Sequence, residues 1–97
     1  MIMQTNAYGE KARKHWQTWL PKRYSQIQDP DSYFSTLGEE ISERIDELSH
    51  AIAGSDQPGE GFLAKLGRLN MARFDAESQV LREMALLDPE PAVADQQ

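Results

Sequence analysis

Glu47-Leu48-Ser49-His50 has the Glu-x-x-His spacing that dicarboxylate metal sites use on bundle helices. Such a site needs both ligands to project inward and needs carboxylates at the same level on facing helices. Here Ile45, Leu48 and Ile52 mark the inward side, so Glu47 and His50 fall on its flanks. In a chain that turns back at 54–59, the facing stretch 63–67 offers only Lys65. The reading is therefore structural, with no metal and no cofactor. His15 and His50 have no Ser or Asp spaced for a triad, and no Ser, Thr or Lys stands beside an evident base. The expectation is a protein that is not an enzyme.

Two charged groupings remain. Lys11, Arg13, Lys14, His15, Lys22 and Arg23, interleaved with Trp16, Trp19 and Tyr24, form a basic and aromatic head. That combination suits a phosphate backbone or stacked bases. The competing reading puts the tryptophans in the core and pairs the cations with acids of the same chain. Glu39, Glu40, Glu43, Asp46 and Glu47 form an acidic ridge. Like charges at i, i+4 repel by a few tenths of a kcal/mol, roughly. The ridge is either a solvated face or a surface that docks on cationic sites meant for phosphates.

The elements that position these groups read as helices. Ala12, Trp16, Trp19 and Leu20 make an apolar stripe over Ala7–Leu20, and Pro21 kinks it or opens a short second helix reaching about Gln28. Residues 1–6 read as a loose terminus. Asp29-Pro30-Asp31 is a helix start: a cap, a proline suited to the first position, and an acid that complements the dipole. Phe34, Leu37, Ile41, Ile45, Leu48 and Ile52 carry that helix from 30 to about 53, where Gly54 stops it. Gly38 weakens it by about 1 kcal/mol relative to Ala. Thr36 and Glu39 are spaced as a capping box, which predicts a bend or restart.

Ser55-Asp56-Gln57-Pro58-Gly59 is turn chemistry. A last helix is predicted from about 60 to 87, before Pro89. One of its faces holds Phe62, Leu66, Leu69, Ala72, Ala76, Val80, Met84 and Leu87. A neighbouring face holds Leu63, Asn70, Phe74 and Leu81. A helix apolar over two faces touches two neighbours. Asn70 is either solvated or a register-setting polar residue in a helix interface.

The expected fold is all-α: an antiparallel helical hairpin of two long helices crossed by the Trp-bearing N-terminal helix, a small bundle open to oligomerisation. Residues 1–87 form the single domain and 88–97 a flexible acidic tail. The chain has 97 residues, so it has room for one small core and not for a nucleotide-binding α/β domain. It has no Cys, hence no disulfide framework. No secretory pattern or membrane-length apolar run is present, which predicts a cytoplasmic protein. The net charge of -6 hides a gradient. Residues 1–28 carry five cations against Glu10, and residues 29–60 carry nine acids against Arg44. A basic head on an acidic body predicts charge-matched contacts.

Ala12-Arg13-Lys14-His15-Trp16, Phe34-Ser35-Thr36-Leu37-Gly38-Glu39-Glu40 and Gly67-Arg68-Leu69-Asn70-Met71-Ala72-Arg73 resemble stretches of small helical proteins of actinobacterial phages and mobile elements. The resemblance implies a context only. Such proteins often bind a larger machine, sometimes as inhibitors of a host defence complex.

Together these residues predict a helical protein–protein interaction module that docks on itself or on a larger complex. Phe74, Leu81 and Met84 are its expected interface groups, with Trp16 and Trp19 as core or anchor. The alternative is a nucleic-acid-binding accessory protein using Lys11, Arg13, Lys14, Lys22 and Arg23. No membrane partner is expected.

Overall fold

A computed structural model describes residues 5–91. Its helices are α1 (Ala7–Trp19), α2 (Pro21–Ser25), α3 (Pro30–Ala53) and α4 (Phe62–Val80), the last continued by a π-helical turn at Leu81–Ala85. There is no strand among the described residues, so the architecture is all-α, with the helices packed on one another.

Local chemistry explains the limits. Asn6 caps α1, its Oδ1 accepting from the Gly9 amide at 2.9 Å. Asn6 of the expected loose terminus 1–6 is therefore a helix cap; residues 1–4 lie outside the described part. Pro21 has no amide to donate and opens α2 at its first turn. Asp29 caps α3 through the Ser32 amide, and Gly54 ends it at a φ of 67°, where a side chain would be strained. α3 runs without a break through Thr36 and Glu39, so the capping-box restart is not taken. Gly38 is a close-approach site instead. A Cβ there would meet Asn6 Oδ1 and the Gly9 amide, and a Cβ on Gly9 would meet the Phe34 carbonyl. These glycines let α1 lie directly on α3.

The last helix is shorter than its apolar pattern. α4 ends at Val80 and the π turn closes with the Leu86 amide on the Leu81 carbonyl at 2.6 Å. Beyond it, Pro89 and Pro91 cannot donate the i+4 bonds that Ala85 and Leu87 carbonyls would need in a longer helix. α1 supplies both. Trp16 Nε1 donates to the Ala85 carbonyl at 3.0 Å, and His15 Nε2 contacts the Leu87 carbonyl at 2.7 Å. Because a carbonyl only accepts, His15 carries its proton on Nε2.

The segment after the helix is also anchored. The Glu90 amide donates to the Trp19 carbonyl, and its carboxylate accepts from the Lys22 and Arg23 amides, the open donors of α2. Within the expected flexible tail, Glu90 is thus held by three hydrogen bonds, and its two-proline segment crosses α1 and α2. The rest of the tail, 92–97, lies outside the described residues.

The core gathers at one end. Ala12, Trp16 and Leu20 meet Phe34, Ile41 and Ile45 of α3 and Ala76, Val80, Leu81 and Ala85. Trp16 packs edge-on to Phe34 with centroids 5.3 Å apart, and Tyr24 stacks on the same ring at 5.9 Å. Burying each such side chain stabilises by about 1.5–3 kcal/mol. α4 follows α3 back: Arg68 donates to the Ala53 carbonyl and Arg73 to Asp46.

Candidate docking surface

α3 is about 36 Å long and α1 only about 20 Å. α1 begins beside Gly38 of α3, and Tyr8 reaches Glu77 of α4. Everything nearer the 54–61 loop lacks a third helix. Of the apolar residues there, Phe62 is 77% exposed, Leu63 79%, Met71 63% and Phe74 68%. Leu66, Leu69 and Ile52 are also exposed. Past Ile45 and Ala76 the buried residues at that end are small, Ala72 on α4 and Ser49 on α3, and Leu48 is partly buried.

These positions occupy a broad arc of α4. At 100° per residue, Leu69 and Phe62 lie at one edge, Leu66 follows, Leu63, Asn70 and Phe74 form the centre, and Met71 marks the far edge. Together they expose roughly 700 Å² of side chain, above the 300–600 Å² of a typical monomer's largest apolar patch.

The expected interface residues divide accordingly. Phe74 lies in the exposed arc. Leu81 is 6% exposed and Trp16 2%, both within the protomer's own core. Met84 packs against that core and Trp19 is half-buried. Leu81 shares the azimuth of Leu63 and Phe74, but α1 and the returning 86–91 segment cover it. Phe62, Leu66 and Leu69, assigned from the pattern to the core face, are exposed because that face extends past the end of α1. The signal for the exposed arc was the second apolar face itself; how far α1 reaches along it is not written in α4.

The charged groupings are placed as follows. Glu39, Glu40, Glu43, Asp46 and Glu47 are all exposed. Asp46 accepts from Arg73 at 2.8 Å and Glu47 lies 3.6 Å from Arg44, exposed pairs worth at most about 1 kcal/mol each. Glu39, Glu40 and Glu43 make no ion pair among the described residues. In the basic head, Arg13 pairs with Asp31 at 2.6 Å and the Arg23 guanidinium sits 4.9 Å from the centre of the Trp16 ring. Lys11, Lys14 and Lys22 point to solvent. Trp16 is covered, so it offers no face to a base. Glu47 and His50 are exposed on α3, and no group of three or more metal-ligating side chains converges among the described residues.

Arg68 is a residue that sequence reasoning left without a role. It grips Glu60 with two bonds of 2.8 and 3.0 Å, touches Asp56 at 3.3 Å and donates to the Ala53 carbonyl at the end of α3. Lys65 joins through Asp56 at 2.7 Å. The Lys65 hydrogen bond holds the Asp56 carboxyl below its ordinary value, and the Arg68 bond does the same for Glu60. Arg68 is correspondingly raised, chiefly by Glu60. This cluster clips the loop shut and uses every cation of α4's first two turns on the side away from the exposed arc. On the other flank of the core, burial and then the Glu77 carboxylate raise the Tyr8 phenol.

No helix among the described residues is long and apolar enough to cross a membrane. Comparison with protein-family models, curated proteins and solved structures finds no match to this chain.

Proposed function

We propose that the protein is a non-enzymatic helical interaction module. The α3–α4 pair acts as an antiparallel hairpin whose loop end presents the apolar arc of α4 to another helical surface, in a second copy or a larger complex. The observation that carries this reading is the exposure of Phe62, Leu63, Met71 and Phe74 on a helix whose opposite end is well packed. An apolar arc this wide is costly to leave in water, and burying it would give the association most of its free energy. The acidic ridge lies on the outer side of α3, where it sets solubility and steers encounters.

The test is site-specific photocrosslinking in the producing cell. A photoreactive phenylalanine at Phe74 or Met71 should give discrete adducts, and one at Glu43 or Glu83 should not. Equal, diffuse labelling at all four positions refutes the docking reading.

A further inference from the structure

The central line of the exposed arc reads Leu63, Gly67, Asn70, Phe74, with spacings of 4, 3 and 4. That series is the same in both directions. A two-fold axis between residues 68 and 69 would set Leu63 of one chain opposite Phe74 of another, and Gly67 opposite Asn70. Isologous contacts require this self-complementarity. Nothing lies within 4 Å of a Cβ built on Gly67, so its notch is open to receive the larger Asn70 side chain of a second copy.

We propose that the arc is the interface of an antiparallel homodimer in which the loop-end halves of two α3–α4 hairpins overlap as a four-helix bundle. The proposal rests on the docking reading and names its occupant. Four further observations favour a second copy. The roughly 700 Å² exposed by the arc is close to the about 800 Å² that each partner of a standard interface buries. Ile52, 41% exposed, precedes the Ala53 carbonyl that Arg68 reaches. It therefore lies at the level of the axis.

Charge also fits. Between 61 and 74, α4 carries Lys65, Arg68 and Arg73 and no acid, and each is already paired within the protomer. No uncompensated charge is buried when two arcs meet. Each α1 starts at the level of Glu77, beside Tyr8, so it would flank the end of the partner's hairpin and close the groove it leaves open.

The chain has no Cys, which allows a direct test of the pairing. Full-length Leu63→Cys and Phe74→Cys variants, confirmed helical by circular dichroism, are oxidised separately and as a mixture. The proposal expects the mixed disulfide to form at least about tenfold faster than either homodisulfide, since only 63 and 74 face each other. Light scattering of the unmodified chain should show a reversible dimer at micromolar concentrations. Leu63→Glu with Phe74→Glu should weaken association at least about tenfold while leaving helicity intact.

A monomeric unmodified chain at about 200 µM, well above common regulatory affinities, overturns the second-copy assignment. The docking reading would then still be judged by its crosslinks at Phe74 and Met71. A dimer with no preference for the 63–74 disulfide overturns the antiparallel register.

Discussion

Trp16 does more than fill the core, and one atom tests how. Its Nε1 donates to the Ala85 carbonyl, which the π turn and Pro89 leave without a helical donor. Replacing Trp16 by β-(3-benzothienyl)alanine keeps the ring outline and exchanges the N–H for sulfur. A buried carbonyl then loses its partner, at a cost of about 1–3 kcal/mol. Trp16→Phe adds a second loss. It removes roughly 40 Å² of buried ring, about 1 kcal/mol, and leaves a small void against Phe34 and Ala85. The expected total for Trp16→Phe is about 2–4 kcal/mol, a large share of the roughly 5–15 kcal/mol available to a domain of this size.

Urea unfolding followed by far-ultraviolet circular dichroism measures both variants. The transition midpoint should fall with little change in its slope. The benzothienyl variant should also speed hydrogen exchange at the Glu90 amide, because Glu90 is held to Trp19 just beyond the turn. If that variant stays within about 0.5 kcal/mol of the parent, the N–H contributes nothing net and the reasoning is wrong.

Gly9→Ala and Gly38→Ala should each destabilise by about 1–3 kcal/mol in the same assay, since each new Cβ meets backbone or a cap atom. A stabilising Gly38→Ala would mean that α1 does not approach α3 so closely. Glu90→Ala should cost about 1 kcal/mol and speed exchange at the Lys22 and Arg23 amides, the donors that it caps. Unchanged exchange there would show that the cap is not formed in solution. Asp56 and Glu60 titrate below their ordinary values in the folded chain, so the unfolded chain takes up protons first as pH falls. Their stabilisation is complete above the ordinary carboxylate range and is lost as pH drops through the folded values. Arg68→Met should therefore flatten the acid limb of stability against pH; an identical limb in the variant would refute the clip.

Much of the fold was legible because its signals are local. Asp29-Pro30 and Gly54 bracket α3 through bonds and dihedrals set within a few residues, and they stand at its observed ends. The all-α class follows from apolar periodicity alone. Gly38 was read by its propensity as a weak point. Its contact with Gly9 comes from 29 positions away in the chain, so its use as a notch was invisible locally. Arg68 was one cation among several until the loop brought Glu60, Asp56 and the Ala53 carbonyl around it.

The candidate surface divides the same way. That α4 carries more apolar face than one neighbour can cover is a property of residue order, because side-chain azimuth repeats with the helix period whatever surrounds it. Which part of that face stays open is a property of the assembled chain. Leu63, Phe74 and Leu81 share one azimuth, yet Leu81 is buried and the other two are not. The difference is where α1 ends and where the 86–91 segment crosses. Hydrophobicity is written in each side chain, but burial is decided by the neighbour that arrives, and the third helix is too short to reach the loop end.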